Sequence, residues 1–107
     1  MAAAVESYWV LSRFRAALEE MYGDRLDRVV LFGSRARGDG SPDSDYDIAV
    51  FLKSLSDRWD ELDRLAELRV QFLDETGAFF DAKPYLASAY DERTLLMHEI
   101  RTDGITL

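Results

Sequence analysis

Val29-Val30-Leu31-Phe32-Gly33-Ser34-Arg35-Ala36-Arg37-Gly38-Asp39-Gly40-Ser41-Pro42-Asp43-Ser44-Asp45-Tyr46-Asp47-Ile48-Ala49-Val50-Phe51 is the stretch that decides the fold. An apolar run halts at Gly33, a loop of arginines, glycines and aspartates follows, and a second apolar run, Ile48 to Leu52, starts directly after a pair of carboxylates. This punctuation reads as strand, phosphate-sized loop, strand. Residues i and i+2 of a strand project to one face, so extended backbone from Asp45 to Phe51 sets the Asp45 and Asp47 carboxylates side by side. Two such hard oxygen ligands suit Mg²⁺.

Outward from this stretch, the 107 residues are expected to form one domain spanning 1–107. A hydrophobic content of 48% with 12% aromatics excludes a disordered tail. No apolar segment approaches the ~18 residues of a membrane span, so no membrane association is expected. The N-terminus lacks a basic region and meets Glu6 early, unlike a signal peptide. Without cysteine there are no disulfides or thiolate metal sites, which is compatible with the expected cytoplasmic location. Twenty-one acidic against thirteen basic residues give a net charge of −8, which opposes attraction to a polyanion. Direct nucleic-acid binding is therefore not expected, whereas a basic protein partner or a cationic small molecule would be favoured.

In chain order, Tyr8, Leu11, Phe14 or Arg15, Leu18, and Met21 or Tyr22 predict a helix over 5–22 that stops at Gly23. The run Val29 to Phe32 suits a strand buried on both faces. Gly33 to Asp45 is the loop, with Gly38, Gly40 and Pro42 as breakers and Ser34 to Arg37 forming one helical turn. After the second strand, Ser54 or Ser56 is expected to cap a helix reaching about Glu75 and closed by Gly77. Its inward stripe is read as Trp59, Leu62, Leu65 or Ala66, Arg69 or Val70, and Phe72 or Leu73. A third strand is expected over 78–87, where Pro84 implies an edge position or the strand's end. A last helix over 91–101 offers Leu95, Leu96 and Ile100, and Ile105-Thr106-Leu107 reads as a tail.

Three phosphate- or metal-binding spellings fail. Gly33 to Gly38 has the glycines of a P-loop, but Asp39-Gly40 replaces the lysine and hydroxyl that reach the phosphates and the metal. Asp43-Ser44-Asp45-Tyr46-Asp47 begins like a calcium loop, but Ile48 and Ser54 stand where glycine and glutamate are required. Gly38-Asp39-Gly40 has neither the third glycine nor the helix of a dinucleotide fingerprint. What remains is Gly33-Ser34, where glycine permits close backbone approach and the amides of a helical turn can meet phosphate. Asp45 and Asp47 read as a metal pair or as a solvated acidic loop. Asp81, amid Phe79, Phe80 and Ala82, either faces outward or turns toward that pair. Arg35 and Arg37 either neutralise a triphosphate or pair with Asp39 and Asp43. His98 has no assigned role.

Gly33-Ser34, ten residues, and Asp45-Tyr46-Asp47 resemble the signature of the minimal nucleotidyltransferases, small relatives of the polymerase-beta-type transferases. The surrounding words, Phe32-Gly33-Ser34-Arg35-Ala36-Arg37-Gly38 and Ser44-Asp45-Tyr46-Asp47-Ile48, are similar to that family nearly letter for letter. The resemblance implies an α/β chain of the α+β type: a small mixed, mainly antiparallel sheet flanked by helices, the nucleotidyltransferase fold. It also implies Mg²⁺ on Asp45 and Asp47, phosphate contacts from Ser34, and transfer of a nucleoside monophosphate from ATP. A third carboxylate on a neighbouring strand belongs to the family pattern, and Asp81 is the candidate for it, sharing a second Mg²⁺ and taking the acceptor's proton. Chains of this size and spelling further resemble MntA-type antitoxins. That likeness implies a protein adenylyltransferase that attaches AMP to a tyrosine of a cognate HEPN ribonuclease toxin and forms a complex with it. Transfer of AMP to a small hydroxylated molecule, and inhibition by binding alone, are the alternative readings.

Overall fold

A computed structural model describes residues 2–41 and 44–107, with side chains from Tyr8 onward. Pro42 and Asp43, expected as a breaker and as a partner for the arginines, lie outside the described residues. The element order is α1 (Ala2–Tyr22), β1 (Leu26–Phe32), α2 (Ser34–Arg37), β2 (Tyr46–Leu52), α3 (Arg58–Thr76), β3 (Phe80–Leu86), α4 (Leu95–Asp103) and β4 (Ile105–Thr106). Short 3-10 turns follow α1 at Gly23–Arg25 and β3 at Ala87–Asp91. Sheet order is β3-β2-β1-β4; β1 is antiparallel to both its neighbours, and β2 runs parallel to β3. The sheet is thus mixed and mainly antiparallel, flanked by helices, as expected.

Strand alternation divides the core in two. Val29, Leu31, Ile48, Val50, Leu52, Phe80 and Ala82 face α1 and α3, whose Val10, Phe14, Leu18, Leu65, Leu68 and Phe72 fill that side. The Phe14 ring stacks on Phe80 at 4.0 Å and meets Phe72 edge-on at 5.1 Å. The opposite face carries Val30, Ala49 and Phe51 beneath Met97 and Ile100 of α4. Both central strands are therefore buried on two sides, which is why β1 reads as a continuous apolar run.

Several local expectations are corrected. Asp57, not Ser54 or Ser56, caps α3, accepting from the Asp60 amide at 3.1 Å. The inward stripe of α3 is Glu61, Leu65, Leu68 and Phe72, while Trp59 is 79% exposed. Glu61 can occupy a core position because Arg25 and Arg64 hold its carboxylate at 2.6 and 3.2 Å. On α1, Val10 packs inward and Tyr8 does not. Thr94 caps α4 by accepting from the Met97 amide, which turns Met97 and Ile100 inward and leaves Leu95 91% exposed and Leu96 at the surface. The supposed tail is β4, bonded to β1 through the pairs Val30–Thr106 and Leu31–Ile105. Pro84 sits within β3, which is an edge strand, so its missing N–H leaves no gap in a central ladder.

Candidate active site

The site begins where β1 stops. Gly33 is buried with φ of +76°, a conformation that favours glycine, and a Cβ there would collide with Asp47 Oδ2. Glycine is required twice over, once by the backbone and once by the carboxylate against it. The Gly33 carbonyl then accepts from the amides of Ala36 and Arg37, both at 3.1 Å, which winds Ser34–Arg37 into a single turn. The loop folds back over that turn: a Cβ on Gly40 would come within 2.8 Å of Ser34 Oγ and 3.1 Å of Ser44 Oγ. Ser44 fastens the return, its Oγ accepting from the Ser41 amide at 2.9 Å and its carbonyl accepting from Arg35 Nε at 3.0 Å.

β2 starts at Tyr46, directly after the loop expected over Gly33 to Asp45, so Asp45 lies just before the strand and is exposed. Tyr46 is buried against Phe80, with ring centroids 5.0 Å apart, and the Arg35 guanidinium lies 4.3 Å from its ring. Because Tyr46 turns inward on the α1/α3 side, Asp47 must project from the other face, in line with Ala49 and Phe51. The ladder sets Asp47 opposite Phe32 on one side and Asp81 on the other. Asp81 therefore turns toward the motif rather than standing apart from it. Two carboxylates side by side, partly desolvated, disfavour ionisation: burial first, then Asp81 and Asp45, push the Asp47 carboxyl above the usual carboxylate range. Lys83, also on this face and 3.9 Å from Asp81, opposes that rise.

The predicted residues are thus gathered unevenly. Gly33, Asp47 and Asp81 form the centre; Ser34 lies under Gly40; Asp45 stands at the mouth, near enough to act on Asp47 through its charge. Among the described residues, no three carboxylate or imidazole side chains converge into a ready-made ion cage. Arg35 is engaged with Ser44 and Tyr46. Arg37 pairs with Asp39 at 3.2 Å, as the loop-acid reading expected, and also with Glu99 of α4 at 3.1 Å. These two acids raise the Arg37 pKa, the Asp39 hydrogen bond most of all. Two neighbours of the centre were not singled out in the sequence. Lys83 was legible in principle as the residue two positions after Asp81 on one strand face, whereas Glu99 comes from a remote helix and left no local signal.

The chain belongs to the nucleotidyltransferase domain family, which it matches over residues 11–97. A Methanocaldococcus jannaschii protein named as a candidate protein adenylyltransferase, MJ0141, is 39% identical over 46 residues. That match covers 43% of this chain and 46% of the relative, so the chain spans less than half of that protein's length. Among solved structures, a toxin-antitoxin crystallised with AMP-PNP superposes with a TM-score of 0.60 at 24% identity, covering 88% of this chain and 69% of the other. A variant of the MntA-HpeT toxin-antitoxin gives 0.58 at 22% identity, covering 85% and 67%. At these identities the structural likeness establishes the nucleotidyltransferase fold.

Proposed function

We propose that residues 1–107 act as one nucleotidyltransferase domain that moves AMP from ATP to a tyrosine of a cognate HEPN ribonuclease toxin and so serves as its antitoxin. The observation that carries this reading is the register of Asp47 against Asp81 beside Gly33, within a chain of the nucleotidyltransferase family. It gains support from a relative named for protein adenylyl transfer and from fold neighbours in toxin-antitoxin complexes, one crystallised with AMP-PNP.

The centre fits a hard divalent cation such as Mg²⁺: its donors are carboxylate oxygens, and burial first, then repulsion from Asp81 and Asp45, push the Asp47 carboxyl upward, a cost that positive charge beside it would offset. Asp45, Asp47 and Asp81 would hold it, Asp81 sharing a second ion. Bound there, Mg²⁺ supplies charge neutralisation of the triphosphate and polarisation at the α-phosphorus. The chain's own groups supply position. Gly33 lets the triphosphate approach the backbone, and Ser34 with the amides that open α2 holds the terminal phosphates. Asp81 accepts the proton of the acceptor hydroxyl as its oxygen bonds to the α-phosphorus, and the bond to the β-phosphate oxygen breaks with release of pyrophosphate. Arg35 and Arg37 would add positive charge beside the triphosphate.

Inhibition by contact alone is a second reading, favoured by the exposed Asp45 and the Lys83–Asp81 pair. Intact-protein mass spectrometry of the cognate toxin, incubated with this protein, ATP and Mg²⁺, separates the two. One or more AMP increments, absent with Asp45→Asn/Asp47→Asn, support transfer. An unmodified toxin held in a stable complex contradicts it and selects contact alone.

A further inference from the structure

Helix α3 carries more apolar surface than the core uses. Beside the buried stripe Glu61, Leu65, Leu68 and Phe72 runs a second one: Trp59, Leu62, Ala66, Val70 and Leu73, spaced by three, four, four and three residues. That spacing holds them on one helical face. Trp59 is 79%, Val70 66% and Leu73 37% exposed, and Ala66 is exposed too. The stripe is about 21 Å long at 1.5 Å per residue, enough for about four turns of an opposing helix. It belongs to the α1/α3 side of the sheet, whereas Asp47 and Asp81 project from the other face.

Charge identifies what would lie on it. Along one border stand Asp63, Glu67 and Asp74, each three or four residues from a member of the stripe, and none of them is in an ion pair among the described residues. The basic residues on the opposite border are spent on the edge strand: Arg58 donates to the Pro84 carbonyl at 2.7 Å, and Arg69 donates to that of Phe80. The stripe is therefore apolar with an acidic rim. A second copy would set two such rims together on molecules of charge −8 each, which opposes self-association.

We propose that the exposed stripe of α3 is a docking surface for a partner protein's amphipathic helix, with apolar residues at three- and four-residue spacing and lysines or arginines on the flank that meets Asp63, Glu67 and Asp74. Docking buries Trp59 at one end of the contact and Val70 toward the other, while the acidic rim selects the partner's charge.

Fluorescence anisotropy with two labelled synthetic helical peptides tests this. Both carry leucine at heptad a and d positions; one has lysine and the other glutamate on the flanks. The lysine peptide is expected to bind saturably, with affinity reduced at least tenfold by Trp59→Ser or Val70→Glu. Reversal of the rim (Asp63→Lys/Glu67→Lys/Asp74→Lys) should transfer the preference to the glutamate peptide. All these positions are exposed, and circular dichroism checks that each variant is folded. Equal binding of the two peptides, no binding of either, or indifference to Val70→Glu overturns the proposal. A dimer seen by sedimentation velocity and dissociated by Val70→Glu also overturns it, making a second copy the occupant.

Discussion

Asp47 ties the chemistry of the site to the stability of the chain. Its carboxyl is held above the ordinary range, so across the window between the unfolded and folded pKa the native state binds the proton more tightly than the unfolded chain. Stability therefore falls as pH rises through that window, and the penalty persists at neutral pH. Asn carries no such charge: Asp47→Asn should raise the Tm of the metal-free protein at pH near 7, with the difference from wild type shrinking below pH about 4, where Asp is protonated in both states. The same change should lower AMP transfer on the order of a thousandfold. Differential scanning calorimetry across pH, beside a transfer assay, checks both halves. Gly33→Ala is expected to act in the opposite sense on stability, costing about 2 kcal/mol or more in urea unfolding, because it adds a strained φ to a collision with Asp47. Gly33 and Asp47 were legible because each residue type answers a local demand. The pairing of Asp47 with Asp81 was legible only as one of two readings, since strand register is set by long-range packing of Tyr46 on Phe80 and of the sheet on α1 and α3.

Among the elements, α3 shows most clearly where a periodic pattern misleads. Its two apolar stripes merge in the sequence into one broad face, and a core glutamate hides the true phase, so Trp59 is read as buried when Glu61 holds that position. Only the Arg25 and Arg64 partners, one of them in the turn before β1, make the burial of Glu61 tolerable. Glu61→Ala should destabilise the fold by about 1–3 kcal/mol in chemical denaturation, since it removes the acid that both half-exposed guanidinium groups share beside Tyr22, leaving Arg25 only its bonds to Ser54. Tyr22→Phe should instead be neutral or stabilising by up to about 1 kcal/mol. The buried Tyr22 hydroxyl has no hydrogen-bond partner among the described residues, and burial, followed by the Glu61 charge, pushes its pKa up to about 12. Helix α4 misreads for a related reason. Thr94 rather than Asp91 starts it; Ile100 faces inward as expected, but Met97 joins it in place of Leu95 and Leu96.

For the whole molecule, a ligand that binds the native chain and not the unfolded one stabilises it, so occupancy of the proposed site can be read from melting. Mg²⁺ with ATP should raise the Tm, by the equivalent of about 2.7 kcal/mol at a ligand concentration of about a hundred times Kd, and a chelator should reverse the shift. In Asp45→Asn/Asp47→Asn the shift should vanish. Much of the architecture could be read directly: helix, strand, loop, strand, helix, strand, helix follows from apolar period and glycine punctuation. β4 could not, because Ile105 and Thr106 are too few to signal a strand and pair only where β1 already offers an edge.

The most direct test of nucleotidyl transfer places the label on either phosphate. The cognate toxin is incubated with this protein, Mg²⁺ and ATP radiolabelled at the α- or the γ-phosphate, then resolved by denaturing electrophoresis. The account predicts toxin labelled from the α-phosphate alone and no label with Asp47→Asn. Label from the γ-phosphate, or from neither while the nucleotide is demonstrably bound, would contradict it.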